Sequence, residues 1–183
     1  MNVIFTPLEG LLILEPVVHI DDRGYFMETY NKRTIQGNAD YDTAFVQDNQ
    51  ARSVKNVLRG LHYQNPPTPQ AKLIRVLEGA IWDVAVDIRK HSATYRQWFG
   101  IELSAENKRQ LLIPHGFAHG YAVLTDTSEV FYKCDNYYDK SAEGGMFYAD
   151  PEIGIDWKIN LADAIISAKD QKQPLFKDAN NQF

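Results

Sequence analysis

Only one cysteine, Cys134, occurs in the 183 residues. That excludes a disulfide framework and any cysteine-based zinc knuckle. Excess positive charge is also missing: Lys plus Arg number 19 against 24 Asp plus Glu, a formal net charge of −5. The balance argues against nucleic-acid binding and against a polybasic membrane contact. It leaves room for an anionic ligand, which needs only a local cluster of cations. No apolar run approaches the ~18 residues that a membrane-spanning helix requires. The strongest N-terminal candidate, Leu11-Leu12-Ile13-Leu14, is cut by Glu15 and Pro16. No Arg or Lys precedes it, so a signal-peptide basic region is lacking, and the cytoplasm is the expected location. Internal repeats and low-complexity tracts are absent too. The Pro-rich residues 65–69 are too short to separate domains.

What the chain does have is a series of short runs rich in Val, Ile, Tyr, Phe and Trp, separated by turn residues. They predict strands near 11–19, 24–30, 44–50, 56–64, 72–79, 80–89, 97–104, 109–113, 118–124 and 128–136. Strands at this spacing suggest an all-β sandwich or barrel. Alternation is clearest where Trp82, Val84, Val86 and Ile88 interleave with Asp83, Ala85, Asp87 and Arg89, which reads as a half-buried strand. Glu78-Gly79 resembles a tight turn, making 72–89 a hairpin. Helix signals are few: one turn over 31–35 and a short helix over 160–169 opened by Asn160. A single domain over residues 1–183 is expected. Its barrel core covers about 40–140, with N-terminal strands and a C-terminal extension packed on it.

Several polar residues interrupt the apolar pattern. In Val57-Leu58-Arg59-Gly60-Leu61-His62-Tyr63-Gln64, alternation puts His62 and Gln64 on the face of Leu58 and Gly60. Lys72 shares a face with Ile74 and Val76. Either its amine reaches water from the strand end, or a carboxylate or ligand compensates it. His62 alone fits a hydrogen-bonded core histidine as well as a catalytic one.

The two residues gain meaning against a double-stranded β-helix template. Cupin barrels carry a first motif like G-x5-H-x-H-x3,4-E-x6-G and a second like P-x-G-x2-H. Here His62-x-Gln64, Lys72 and Gly79 follow the first frame, and Pro114-His115-Gly116-Phe117-Ala118-His119 the second. Gln64 replaces an imidazole ligand and Lys72 the carboxylate ligand, so the frame predicts a barrel cavity with no metal. His62, His119 and Lys72 are left to converge there. Such a set suits proton removal beside a ketone. Histidine is a base with pKa near neutrality, and a cation can hold the enolate oxygen. An inversion also needs an acid on the opposite face. Tyr132 is one candidate among ten tyrosines.

At this point the residues closely resemble the dTDP-4-dehydrorhamnose 3,5-epimerase family. The segments that carry the resemblance are Asp22-Arg23-Gly24-Tyr25-Phe26, Phe45-Val46-Gln47-Asp48-Asn49, residues 57–64, residues 114–120, Tyr137-Tyr138, residues 150–157 and Ser167-Ala168-Lys169-Asp170. Their order matches the family's across nearly the whole chain. The resemblance implies a cupin-type barrel with short peripheral helices that inverts C3 and C5 of dTDP-4-dehydro-6-deoxy-D-glucose. The product is dTDP-4-dehydro-L-rhamnose, on the route to dTDP-L-rhamnose. It implies no metal and no cofactor. It also implies that His62 is the base, oriented by Asp170, with Tyr132 the acid and Lys72 beside the C4 oxygen. Arg23, Arg59 and Lys169 would hold the diphosphate. Gln47, Asn49 and Glu28 would contact the nucleoside, with Phe26 stacking on thymine. His119, Glu143 and Tyr138 complete the implied sugar pocket. A homodimer that exchanges N-terminal strands is implied as well, so that Arg23, Phe26 and Glu28 could serve the partner's site.

Read without the resemblance, Arg23 and Glu28 fit solvated charges, Gln47 and Asn49 fit ordinary polar exposure, and Tyr138 fits a core or interface aromatic. His115 reads as surface polarity and Cys134 as a buried small hydrophobe. Two positions depart from the family: Ala51 stands at a usual Ser and Asn56 at a usual Gly, where Asn tolerates a left-handed turn. Strict alternation puts Arg59 and His62 on opposite faces, which a bulge at Gly60 would reconcile. Three other activities compete with double epimerisation. They are mono-epimerisation of a related dTDP-4-keto-deoxysugar, metal-dependent cupin chemistry, and nucleotide-sugar binding without catalysis.

Overall fold

The computed structural model describes residues 1–39 and 44–183. Two sheets face each other across an apolar interior. The first runs in the order β1 (Asn2–Phe5), β2 (Leu12–Glu15), β10 (Gln110–Ile113), β7 (Lys72–Glu78), β12 (Thr127–Cys134), β5 (Gln47–Val54). The second runs β13 (Glu143–Gly145), β6 (Val57–Gln64), β11 (Phe117–Val123), β8 (Ala80–Asp87), β9 (Trp98–Ser104). This is the double-stranded β-helix that the cupin frame predicts. The strands β1 and β2 belong to the first sheet instead of lying outside it. The strand expected over 11–19 ends at Glu15, because Pro16 has no N–H to donate to a ladder. The chain resumes as β3 (Val18–Asp21), which pairs only with β4 (Gly24–Met27).

Alternation sorts the apolar side chains into three clusters. Ile74, Val76, Ile81, Ala85, Leu111, Ile113 and Val130 fill the space between the sheets. Leu58, Val84, Val86 and Ile88 face outward from the second sheet, under Met146, Ile153, Trp157 and Phe176 of the C-terminal extension. Leu12, Leu14, Leu73 and Leu112 pack with Ile35 of the helix α1 (Lys32–Ala39). The 80–89 strand is therefore not half-buried, as its alternation suggested. The extension covers its outward face, and Asp83 and Asp87 are fully buried on the inward one.

The expected hairpin over 72–89 does not form. Strand β7 pairs with β10 and β12, whereas β8 pairs with β9 and β11. Gly79 turns the corner between the sheets with φ +72, and a side chain there would run into the Thr127 carbonyl. The helical turn over 31–35 is longer, the eight residues of α1. The expected helix over 160–169 shrinks to a 3₁₀ turn over Leu161–Asp163, capped by Asn160, which accepts from the Ala162 N–H. Then come β14 (Ile165–Ile166), parallel to β6, and a second 3₁₀ turn over Asp170–Lys172. Among the described residues no helix is long and apolar enough to cross a membrane.

Candidate active site

The residues that broke the apolar pattern meet in a hollow between the sheets. A cavity of about 490 Å³ is lined by Arg59, His62, Lys72, His119, Tyr121, Tyr132, Lys169 and Asp170. A second hollow of about 290 Å³, lined by Gln47, Asn49, Gln64, Tyr138 and Glu143, shares His62, Lys72 and Tyr132 with it. Those three stand where the two spaces join.

Gly60 makes the first wall possible. Opposite β11, His62 pairs with His119 and Arg59 with Tyr121, so β6 holds one extra residue in a bulge. The bulge turns Arg59 and His62 to the same cavity, resolving the conflict that strict alternation posed. At φ +122, a Cβ on Gly60 would lie 2.6 Å from the Gly120 Cα, so the close approach of the strands requires glycine. His62 Nε2 lies 2.6 Å from Asp170 Oδ1. Asp170 Oδ2 accepts from the Gly60 N–H at 3.3 Å, and Ser167 Oγ accepts the Asp170 N–H at 3.1 Å. Burial alone would raise the Asp170 carboxyl, but its contacts with His62, Gly60 and Ser167 bring it below the usual range. The carboxylate therefore stays charged beside the ring, leaving His62 Nδ1 for chemistry.

On the same sheet, His119 Nε2 lies 2.6 Å from Asp83 Oδ1. Burial pushes the His119 pKa down, against the pull of Asp83, so this ring is neutral. From the opposite sheet come Lys72 and Tyr132. Lys72, half-buried at the start of its strand, lines both hollows. Burial pushes its pKa down, and Cys134, Asp83 and Glu143 partly offset that. Burial pushes the Tyr132 hydroxyl up to about 12, so it keeps its proton at neutral pH. Cys134 is buried, as expected.

The rim is a chain of hydrogen bonds. Lys169 Nζ lies 2.6 Å from Glu143 Oε1, and the Tyr138 hydroxyl donates to Glu143 Oε2 at 3.3 Å. Tyr138, half exposed there, is not a core aromatic. Gln47 Oε1 accepts the Tyr138 N–H at 3.0 Å, and its Nε2 donates to Asn49 Oδ1 at 3.1 Å. Arg59 Nε donates to Ser53 Oγ at 3.1 Å, and the Arg59 side chain is otherwise exposed. Ala51 lines the larger cavity, and Asn56 has φ 64, the left-handed turn anticipated for it.

Three expected ligands are elsewhere. Arg23, its side chain 89% exposed, pairs with Asp21 at 2.5 Å in the β3–β4 turn. Phe26 is 71% exposed on the same hairpin, and Glu28 accepts from Asn31 at 3.0 Å. None of them lines the cavity of its own chain. His115 is more than surface polarity: it contacts Asp135 at 2.7 Å, and Asp135 accepts the Ala71 N–H at 2.6 Å, bracing the entry to β7.

Sequence reasoning missed Asp83, Tyr121 and the role of Gln64. Asp83 read as the solvent side of an alternating strand. The signal available was a carboxylate inside an otherwise apolar run, in a chain with a second-motif histidine to receive it. Gln64, at the cupin ligand position, is a latch. Its amide nitrogen donates to the carbonyls of Thr68 and Tyr137, and its oxygen accepts the Asp139 N–H at 2.9 Å. Among the described residues, no three His, Cys, Asp or Glu side chains are grouped to hold a metal.

Known proteins resemble this chain in sequence and architecture. The family model for dTDP-4-dehydrorhamnose 3,5-epimerase matches residues 5–178. The enzyme of that name from Salmonella typhimurium is 50% identical over 179 residues, covering 98% of this chain and 97% of its own. A crystal structure of the Elizabethkingia anophelis enzyme superimposes with a TM-score of 0.95 at 50% identity, covering 97% of each chain. A Legionella pneumophila structure, in complex with dTDP-4-keto-L-rhamnose, gives 0.92 at 44% identity, covering 96% of this chain and 93% of its own.

Proposed function

The chain belongs to the dTDP-4-dehydrorhamnose 3,5-epimerase family, and from that premise we propose how its cavity inverts C3 and C5 of dTDP-4-dehydro-6-deoxy-D-glucose. One observation carries the assignment of roles. His62 stands on β6 of one sheet and Tyr132 on β12 of the other, and both line the cavity. An inversion requires removal of a proton from one face of a carbon and delivery to the other.

The steps follow from that placement. His62 Nδ1 takes the C–H proton beside the ketone, and the Asp170 carboxylate stabilises the imidazolium that forms. The electron pair moves into the carbonyl, leaving an enolate oxygen on C4. Lys72 stabilises that oxygen, an interaction stronger in the transition state than in the ground state. Tyr132 donates its proton to the opposite face and later recovers one from solvent. His62 returns its proton to solvent, so the catalyst is unchanged. The same set then acts on the second carbon.

Away from the reacting carbons, Arg59 and Lys169 hold the diphosphate, Gln47 and Asn49 the nucleoside, and His119, Glu143 and Tyr138 the sugar. The protein acts as a homodimer in which a second copy's β3–β4 hairpin and the residue that follows it bring Arg23, Phe26 and Glu28 to this cavity. Their distance from their own chain's cavity supports that reading. Catalysis requires neither metal nor cofactor, and its place is the cytoplasm. Incubation with dTDP-4-dehydro-6-deoxy-D-glucose in deuterium oxide tests the function, with label expected at both C3 and C5. Label at one carbon alone identifies a mono-epimerase. Binding of dTDP with no label identifies a binding module, and loss of activity with a strong chelator identifies a metal enzyme.

A further inference from the structure

The arginines of this chain are held in two ways. Arg23, Arg52, Arg89, Arg96 and Arg109 each meet a carboxylate oxygen at 3.7 Å or closer. Arg59, which lines the larger cavity, meets none among the described residues. Its hydrogen bond goes to a neutral hydroxyl instead: Nε donates to Ser53 Oγ at 3.1 Å. Lys169, the other cation assigned to the diphosphate, is already 2.6 Å from Glu143 Oε1.

The bond from Arg59 to Ser53 spans a corner of the barrel. Ser53 is on β5 of the first sheet and Arg59 on β6 of the second, with residues 55–56 turning the chain between them. Asn56, at φ 64, supplies the left-handed step of that turn. Ser53 is the fixed end of the bond. It is 5% exposed and pairs across the ladder with Ser128, which is fully buried. Arg59 is the exposed end.

A guanidinium carries five N–H groups in a planar fork, one on Nε and two on each Nη. With Nε bound to Ser53, its plane is set and the Nη protons remain. Two of them form the end-on pair that matches two oxygens of a phosphate. A hydroxyl sets this geometry without cancelling the charge, which a carboxylate in the same place would do. We propose that Ser53 is a positioning residue for Arg59: a neutral acceptor that occupies Nε and aims the Nη groups, with their charge intact, at a diphosphate. The role of Ser53 rests on the reading of Arg59 as a diphosphate ligand and adds what orients it.

Ser53→Ala removes the acceptor and leaves the arginine in place. Calorimetry should show dTDP binding about tenfold more weakly than to the parent, the worth of one hydrogen bond to a charged group. Thymidine, which has no phosphate, should bind the variant and the parent alike, whereas general damage to the cavity would weaken both ligands. Equal losses for dTDP and thymidine, or no loss for dTDP, overturn the role of Ser53. Arg59→Ala separates that failure from the failure of the underlying reading. If this variant binds dTDP as the parent does, the diphosphate assignment of Arg59 falls, and the role of Ser53 with it. If it binds dTDP more weakly while Ser53→Ala does not, the role of Ser53 falls alone. The ligand-free parent supplies a readout that needs no nucleotide and no change at Ser53. By proton–nitrogen NMR, with Arg59→Ala to assign the signal, the Arg59 Nε–H should exchange with solvent about tenfold or more slowly than in free arginine. An unprotected Nε–H overturns the proposal.

Discussion

His62, Lys72, His119 and Tyr132 stand on strands flanked on both sides by hydrogen-bonded neighbours, whereas Arg23 and Phe26 stand on a hairpin whose two strands pair only with each other. The difference teaches where this molecule spends its rigidity. A side chain on a doubly paired strand with a buried partner is held within a narrow range of positions, as catalysis of a proton transfer demands. The hairpin has little of this. Arg23 pairs with Asp21 two residues away, an exposed contact that adds little stability. Lys108 sits 4.0 Å over the Tyr25 ring, a contact that ties the hairpin to the barrel. Ile20 and Phe26 meanwhile show 80% and 71% of their surface. An isolated two-stranded hairpin is marginal in water, so this one gains from being covered.

The contrast can be broken from the rigid side first. His62→Ala should lower turnover the most, by about 100–10,000-fold, and should abolish deuterium incorporation at both carbons. Residual label at either carbon would assign a second base. Lys72→Met should cost about 100–1000-fold in kcat while dTDP affinity stays close to the parent's. Normal turnover with weaker dTDP binding would make Lys72 a diphosphate contact. Tyr132→Phe should lose inversion while retaining some exchange, since enolate formation does not need the donor. Because the hydroxyl is pushed up to about 12, the parent should show no loss of the acid between pH 6 and 9. Equal loss of exchange and inversion would contradict the two-face assignment.

The smallest effect sharpens the comparison from the exposed side. Arg23→Ala should weaken dTDP binding by about tenfold and leave kcat nearly intact, as expected for a positioning charge. If the hairpin serves the other copy, mixing this variant with His62→Ala should return the KM of the remaining active site to the parent's value. One site of such a mixed dimer has an intact His62 and receives an intact Arg23. A KM still raised after confirmed subunit exchange would place Arg23 in its own subunit or outside the site.

Much of this was legible in the sequence because strands report their faces through a period of two. The four strands between residues 97 and 136 and the buried Cys134 follow from pattern, and the His62–Asp170 pair from the family resemblance, whereas β13 and β14 were not anticipated. Pairing partners do not, because alternation says which face is apolar and nothing about which strand lies alongside. Hence 72–89 looked like a hairpin until Gly79 proved to be a corner. Alternation is also silent on what covers each face. Asp83 was assigned to water for that reason, although one face of β8 meets the extension and the other the barrel interior. The Gly60 bulge was recoverable only by noticing that two residues of the motif could not otherwise share a cavity.

The corner at Gly79 also bears on how the chain reaches this structure. Strand β5 pairs with β12, β6 with β11, β13 and β14, and β7 with β10 and β12. Three strands made early in synthesis therefore remain without sheet partners until residues from 110 onward have left the ribosome. Only β1–β2, β3–β4 and β8–β9 can close locally before then. Such delayed, long-range closure belongs to the slow regime of small β proteins, on the order of milliseconds to seconds. During that interval the apolar edges of β6 and β7 are exposed to other nascent chains, and the time spent waiting for β10–β12 sets the window in which a chaperone is most useful.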